Sequence, residues 1–341
     1  MAARDDLHDI VGLGKRRGVI ACLSAGTLVI LVASFFLGRY PTPYFTALSE
    51  IIENEMARNI VFDIRLPRVV TAFVLGVVLS CSGMVFQKVF RTPLVDSGFL
   101  GVSGGAAFGA SLAIVVWGGQ VYTTQISAAV FALLGLGASC FIAGRMRFGD
   151  WALRLVLSGI AVSALYASGT GILKYLADPL RALPEITFWL LGGLWGVTWP
   201  DAVHVLLISL PCLTIVYAMR WRLNLLSMQD ETAFSLATSP GRERLVLLLA
   251  AVLATAVVVS KAGQIGWVGL IVPNIARRLV GADAQRALPC SLLMGGVFVL
   301  VCDNLSRTVL TGEIPLGILT ALAGAAIFIG LLVSSRTGIR K

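Results

Sequence analysis

WRLNLLSMQDETAFSLATSPGRER, residues 221–244, is the longest polar interruption in the strongly apolar second half of the chain. Each of its charged side chains would cost several kcal/mol in hydrocarbon, so the segment is expected to lie in water. Apolar residues recur there at roughly helical spacing and stop at Ser239-Pro240-Gly241, which predicts a short amphipathic helix followed by a turn. An ordinary solvated loop is the alternative, because a dozen amphipathic residues is a weak signal.

The composition of the whole chain is that of a membrane protein. Of its 341 residues 57% are hydrophobic and 13% are charged, against about 25% charged in a soluble domain. This predicts an all-α polytopic fold with one transmembrane domain over 1–341 and a membrane bundle over 19–335. The apolar run near the N-terminus lacks a convincing signal-peptide cleavage site and is interpreted as the first span. The six cysteines lie in apolar runs without metal-type spacing and are interpreted as core residues.

Ten spans are predicted, because a span needs about twenty apolar residues. The predicted intervals are 19–38, 68–90, 97–117, 122–144, 152–176, 201–219, 245–262, 264–280, 288–311 and 314–335. The eighth is interrupted by Gln264, Pro273 and Asn274. With both termini in the cytoplasm, nineteen of the 27 lysines and arginines fall in inside segments, as the positive-inside rule favours. This orientation places 221–244 in the cytoplasm.

Two outside segments and one glycine series have further patterns. Residues 40–64 carry apolar side chains at helical spacing among acids, which predicts a helix on the membrane surface. Residues 178–200 are too short to span and rich in tryptophan, which predicts a short helix at the outer mouth. Gly101, Gly105 and Gly109 recur every four residues, which predicts close helix packing more than a ligand site.

No catalytic constellation is recognisable, so the chain is not expected to be an enzyme or to hold a metal. Asp303 is the one acid well inside an apolar run, and Arg307, four residues on, is expected to pair with it along one helix face. An ion-coupled secondary carrier is an alternative, although carboxylates in several spans would be typical of one. An intramembrane enzyme is a second alternative, and it would need a nucleophile or metal cluster within the spans.

Six motifs in order resemble the permease subunits of bacterial ABC importers for iron-siderophores, haem and vitamin B12, the FecCD or BtuC-like family of type II importers. They are RLPR at 65–68, RTPLVDSGFLGVSGGAAFG at 91–109, LVLSGIAVSAL at 155–165, FWLLGGLWGVTW at 188–199, GQIGWVGLIVPNIARRLVG at 263–281 and DNLSRTVLTGEIPLGILTALAGAAIF at 303–328.

The resemblance implies that 221–244 is the coupling segment, which docks into a groove on an ATP-binding subunit. The family pattern there is approximately L-G-D-E-x-A-R-x-L-G, and 228–237 replace both glycines and the arginine. Phe234 stands at the arginine position. The residues expected to couple to the ATPase are Leu226, Asp230, Glu231, Phe234 and Leu236.

Arg65, Arg68 and Arg307 match family arginines that meet carboxylates of a substrate-binding protein, and Arg65 and Arg68 are expected to be exposed charges. Arginine's planar fork suits such recognition. The alternative is that they only anchor helix ends. The resemblance further implies an inner-membrane homodimer, contacting membrane lipid, with two ATP-binding cassette subunits and a periplasmic or lipid-anchored binding protein. ATP and magnesium would bind the partner subunits, so this chain is expected to hold no cofactor. Ferric siderophore, haem or cobalamin is the expected cargo, with an oxyanion such as molybdate as the outlier.

Overall fold

The computed structural model describes residues 2–40, 44–228, 240–310 and 312–335. In chain order its helices are α1 (Ala2–Phe36), α2 (Leu48–Glu53), α3 (Glu55–Asn59), α4 (Leu66–Val89), α5 (Val102–Trp117), α6 (Val121–Arg145), α7 (Trp151–Leu176), α8 (Ala182–Leu191), α9 (Trp199–Ala218), α10 (Arg222–Leu226), α11 (Pro240–Ala262), α12 (Val268–Val280), α13 (Ala284–Thr308) and α14 (Leu316–Ser335). A π-helical turn, Ile60–Arg65, joins α3 to α4, and a 3-10 turn, Ser97–Leu100, precedes α5. Strands β1 (Leu37–Gly38) and β2 (Tyr44–Phe45) form a small antiparallel ribbon.

The predicted all-α membrane bundle is confirmed. Within the described residues, eight helices are long and apolar enough to cross a membrane. Each of the ten predicted intervals contains a helix, but two of these are short: α5 has 16 residues and α12 has 13. The single helix predicted within 40–64 is divided at Asn54 into α2 and α3, and the short helix predicted within 178–200 is present as α8.

The two short helices are shortened by breaks at glycine-containing segments. Gly101 adopts a left-handed conformation with φ +76° and separates the 3-10 turn from α5. Between α11 and α12 the chain is non-helical, with Gly263 at φ +69° and Trp267 at φ +72°. Hydropathy does not locate the ends of these two helices. The residues around both breaks are apolar, and their hydropathy is the same whether they form a helix or a turn.

Helix starts follow ordinary capping chemistry. Asp150 caps α7 by accepting from the backbone N of Leu153 at 3.0 Å. Thr198 and Asp201 form a capping box at the start of α9. Side-chain acceptors at these positions satisfy backbone N–H groups that have no partner inside the helix. The local sequence therefore fixes where these elements begin.

α4 lies at the centre of the bundle, with most of its side chains buried, whereas Gly18–Phe36 of α1 and Leu316–Val333 of α14 are largely exposed. A Cβ added at Gly76 of α4 would overlap the carbonyl oxygen of Gly295 in α13. In the same way, Gly105 and Gly109 of α5 lie against the α6 backbone at Phe131 and Ser127. Glycine at these positions lets neighbouring helix backbones touch.

The two ends of α4 define two faces of the bundle. We call the end that holds Arg68 and the C-terminus of α13 the predicted outer face. We call the end that holds Lys88 and the N-terminus of α13 the predicted inner face. Twenty residues of helix, about 30 Å at 1.5 Å per residue, separate Arg68 from Lys88, which matches the thickness of a hydrocarbon core.

Candidate functional site

Arg68, at the start of α4, pairs with two carboxylates from the last part of the chain. Its Nε donates to Oδ1 of Asp303 at 2.9 Å, and its Nη1 donates to Oε1 of Glu313 at 2.7 Å. The Asp303 side chain is fully buried, whereas that of Glu313 is 37% exposed. Charge-assisted hydrogen bonds of this kind are roughly twice as strong as neutral ones. Arg68 thus joins α4 to α13 and to the loop before α14.

Arg307 lies one turn after Asp303, and the predicted pairing of these two residues is confirmed by an Nε to Oδ2 distance of 3.5 Å. Its Nη2 donates to the backbone oxygen of Ser34 at 2.7 Å and also to Oδ1 of Asn304. Nδ2 of Asn304 donates to Oγ of Ser34 at 2.7 Å. These contacts fasten the end of α1 to α13.

Arg65 ends the π-helical turn before α4 and holds the ribbon segment in place. Its Nη1 donates to Oγ1 of Thr46 at 2.9 Å, and its Nη2 donates to the backbone oxygen of Tyr40 at 2.7 Å. The guanidinium group also fills the space beside Gly38, where a Cβ would overlap it. Arg65 is therefore packed as a structural side chain.

The expectation that Arg65 and Arg68 are exposed is wrong. Arg65, Arg68 and Arg307 are only 6%, 8% and 9% exposed. A charge removed from water needs partners, and each guanidinium finds them within the chain. This geometry favours the alternative of helix-end anchoring, and the docking role of the arginines stays a prediction.

Two residues of this cluster were missed by sequence reasoning. Glu313 is its most exposed carboxylate, and Arg39 donates from Nε and Nη2 to the backbone oxygens of Thr308 and Val309, each at 3.1 Å. A cation at a helix C-terminus is favourable because the last carbonyl groups carry partial negative charge. The partners of Glu313 and Arg39 are more than 200 residues away in sequence, so no local spacing of residues could indicate these contacts.

At the predicted inner face, the structure describes residues 221–228 and 240–244 of the coupling segment. The first of these stretches contains α10. Leu223 and Leu226 of α10 are fully buried in the bundle core. Leu226 therefore anchors the segment on the permease in this structure, although it was predicted to contact an ATPase. The other four predicted coupling residues, Asp230, Glu231, Phe234 and Leu236, lie outside the described residues.

The two flanks of the undescribed stretch 229–239 are tied together. Arg222 of α10 forms an ion pair with the buried Glu243 of α11. The guanidinium of Arg244 lies 5.4 Å from the ring centre of Trp151, which in turn stacks on Phe90 at 5.8 Å. Cation–π contacts add to ion pairing when the groups are partly desolvated. The segment thus leaves and re-enters the bundle at one fixed point.

A cavity of about 650 Å³ lies between the two helix breaks. Its lining includes Asp96, Ser103, Gln264, Trp267 and Leu322. Nε2 of Gln264 donates to the backbone oxygen of Ser103 at 3.1 Å, which joins one break to the other. Irregular backbone at membrane depth is tolerated where it lines a cavity.

Trp267 marks the strained point of this cavity. A left-handed conformation is a genuine outlier for a bulky residue, and such outliers cluster at functional sites. Its ring meets Phe328 of α14 edge-on at 6.1 Å. The sequence predicted a span boundary at Gly263 but began the next span at residue 264, which placed Trp267 inside a helix, whereas α12 begins at Val268.

Comparisons with known proteins agree with this architecture. The FecCD transport family model matches residues 26–334. The molybdate import permease MolB of Haemophilus influenzae is 39% identical over 82% of this chain and 82% of its own length. A probable iron chelatin transport permease of Helicobacter pylori is 35% identical over 93% of this chain and 97% of its own length.

A solved structure of a metal-chelate type ABC transporter in an inward-facing conformation superimposes with a TM-score of 0.85. It is 35% identical and covers 94% of this chain and 99% of its own. The family match spans well over half of the sequence, and the helix order, the motifs and the solved relative agree with it. The chain therefore belongs to the FecCD transport family.

Proposed function

We propose that this chain is the membrane permease subunit of an ABC importer. The observation that carries the proposal is the FecCD match over residues 26–334, with a solved metal-chelate type ABC transporter aligned over 94% of the chain. The family supplies the permease component of importers that work with ATPase and substrate-binding partners. The apolar helices make the chain a multi-pass protein of the inner membrane.

The proposed assembly is a homodimer with two ATP-binding cassette subunits at the predicted inner face and a binding protein at the predicted outer face. ATP and magnesium would bind the partner subunits, so this chain would contribute a helix bundle with two conformational states and no cofactor of its own. Coupling segment 221–244 is polar, and its two flanks are joined by the ion pair between Arg222 and Glu243. A segment fixed in this way is suited to pass a movement of the ATP-binding subunit on to the helix bundle.

The proposed cargo is a ferric siderophore, haem or cobalamin. The named relatives differ in this respect, since one imports molybdate and another an iron chelate by their names. A molybdate anion is the alternative cargo, because a relative named for molybdate import is 39% identical to this chain.

ATP-driven uptake into proteoliposomes tests the function. Transport is expected to require the ATP-binding subunit and to continue after an ionophore has collapsed the ion gradients. An ion-coupled secondary carrier would give the opposite pattern, with uptake lost to the ionophore and indifferent to ATP.

The coupling role is tested by changing Asp230, Glu231 and Phe234 together to alanine. Exposed substitutions typically alter folding stability by no more than about 0.5 kcal/mol each, whereas an interface anchor is worth about 2 kcal/mol or more. The triple variant should therefore insert normally but fail to hold the ATP-binding subunit during copurification. Copurification together with wild-type transport would show that the segment is only a connector.

A further inference from the structure

Helices α4 and α13 are in direct backbone contact near their middles. Gly76 lies against the carbonyl oxygen of Gly295, and a Cβ on Gly295 would in turn overlap the Gly76 carbonyl and the Ser80 side chain. No side chain that could change rotamer separates the two backbones at this point. A contact of this kind leaves the pair little freedom to slide, so it moves as one body.

Both ends of the α4/α13 pair are also fastened. At the predicted outer face, Arg68 of α4 bonds to Asp303 of α13 at 2.9 Å. At the predicted inner face, Nζ of Lys88 donates to the backbone oxygen of Ala282, just before α13, at 2.7 Å. The pair therefore forms a continuous rigid connection between one end of the bundle and the other. The first of these ends holds the arginine cluster, which consists of Arg65, Arg68 and Arg307 with Asp303 and Glu313.

Asn224 of α10 joins the coupling segment to this pair. Its Oδ1 accepts from the backbone N of Ala284 at 2.8 Å and from Nζ of Lys88 at 3.4 Å. Its Nδ2 donates to Oδ1 of Asp283 at 2.7 Å. One half-buried amide thus bonds to the C-terminal end of α4 and to the N-terminal end of α13 at once.

Asp283 is held in its charged form at this junction. Burial alone would raise its pKa, but hydrogen bonds from the Gln285 backbone and the Asn224 amide, with the charges of Arg286 and Lys88, outweigh it and lower the pKa. An ionised Asp283 both caps α13 and accepts from Asn224. The junction is therefore fully bonded at neutral pH.

We propose that Asn224 is the positioning residue that fastens the coupling segment to the α4/α13 pair, so that this pair carries movement between the two faces of the permease. The inference rests on the proposed importer function. A coupling route needs an element whose two positions are biased from both sites. The α4/α13 pair connects both sites, because Arg68, Asp303 and Arg307 lie at one end and α10 contacts the other.

The test uses the reconstituted complex of the permease with its ATP-binding subunit. The readout is the stimulation factor, meaning ATP hydrolysis with the binding protein divided by hydrolysis without it. In Asn224→Asp, two carboxylates face each other at residues 224 and 283, which breaks the junction. The stimulation factor should fall at least about five-fold, the low end of measured allosteric couplings, while the ATP-binding subunit still copurifies.

The double variant Asn224→Asp with Asp283→Asn restores one carboxylate and one amide in exchanged positions. It should recover most of the stimulation, which a general loss of stability would not allow. Ser227→Ala is the matched control, because the hydrogen bond that the Ser227 hydroxyl donates in the described part of the chain goes to the backbone oxygen of Asn224, within its own segment. This control should keep the wild-type stimulation factor.

Unchanged stimulation in Asn224→Asp, or no recovery in the double variant, overturns the inference. If the wild-type permease holds no ATP-binding subunit, the proposed function itself fails, and the inference fails with it. A measurement on the permease alone covers a variant that does not assemble. Hydrogen exchange at the Ala284 amide should be faster in Asn224→Ala, because the amide loses the Asn224 oxygen that it bonds to. Unaltered exchange there would refute the attachment of α10 to α13 through Asn224.

Discussion

A guanidinium group inside a helix bundle is stable only when its charge and its donors are met by the protein. Arg68 is met by two carboxylates, and Arg65 is met by a hydroxyl and a carbonyl. Arg307 is met only in part: its Nη2 donates to the Ser34 carbonyl and its charge faces Asp303, but its Nε and Nη1 make no hydrogen bond within the described residues. Breaking such a contact costs more than its net value, because the partner left behind stays buried and unpaired.

Replacing Arg65 with alanine therefore tests anchoring against docking. The loss leaves Oγ1 of Thr46 without the guanidinium donor, whereas the carbonyl of Tyr40 still accepts from the Thr46 hydroxyl at 2.9 Å, so one buried acceptor loses its partner at a cost of about 1–3 kcal/mol. The thermal unfolding midpoint of the purified permease should fall clearly. Arg58→Ala is the control, since Arg58 is exposed on α3 and its removal should leave the midpoint nearly unchanged.

The opposite result would restore the docking interpretation. An unchanged midpoint in Arg65→Ala, combined with weaker capture of the binding protein, would mean that the guanidinium leaves its buried position when the partner arrives.

At the scale of elements, the sequence predicts where helices exist better than where they break. All ten predicted intervals contain a helix because twenty apolar residues in a row have few other stable conformations in lipid. The break at Gly101 was not predicted, and the break at Gly263–Trp267 was predicted only as a one-residue gap between the spans 245–262 and 264–280, since apolar composition is the same in a helix and in a left-handed turn. The burial of Arg68 could not be predicted from the local sequence either, because its partners Asp303 and Glu313 lie 235 and 245 residues away.

The contact between α5 and α6 allows a direct test of glycine packing. Gly105→Ala would drive a Cβ into the carbonyl oxygen of Phe131, and such overpacking typically costs about 1–3 kcal/mol. The unfolding midpoint of the permease should decrease. Gly137→Ala, on α6, meets nothing within 4 Å and should leave the midpoint equal or higher, because alanine favours helix over glycine. Equal midpoints for both variants would contradict the assigned packing.

At the scale of the whole molecule, the helices are sorted by exposure. α4, α11 and α13 form the inner part of the bundle, and α1 and α14 lie at its periphery with many exposed apolar side chains. An apolar exterior of this kind is covered by lipid in a membrane or by another copy of the chain. The charges lie mainly at the two ends, as an integral membrane protein requires.

The orientation of this bundle is a further prediction. Reporter fusions after Gly149 and Ser239 should give cytoplasmic signals, and fusions after Asn54 and Leu183 should give external signals. The reason is the excess of lysine and arginine in the loops assigned to the inside. An external signal at Ser239 would put the coupling segment on the wrong side for an ATPase and would refute the proposed assembly.

The ion pair between Arg68 and the half-exposed Glu313 has a thermodynamic consequence for any partner that docks there. A carboxylate arriving from a binding protein would meet a cation that already has a ligand, so docking becomes a ligand exchange in which Glu313 leaves and the newcomer takes its place. The number of ion pairs is the same before and after, so capture through this group would depend only weakly on salt. Its free energy would be set by how well Glu313 is solvated once displaced.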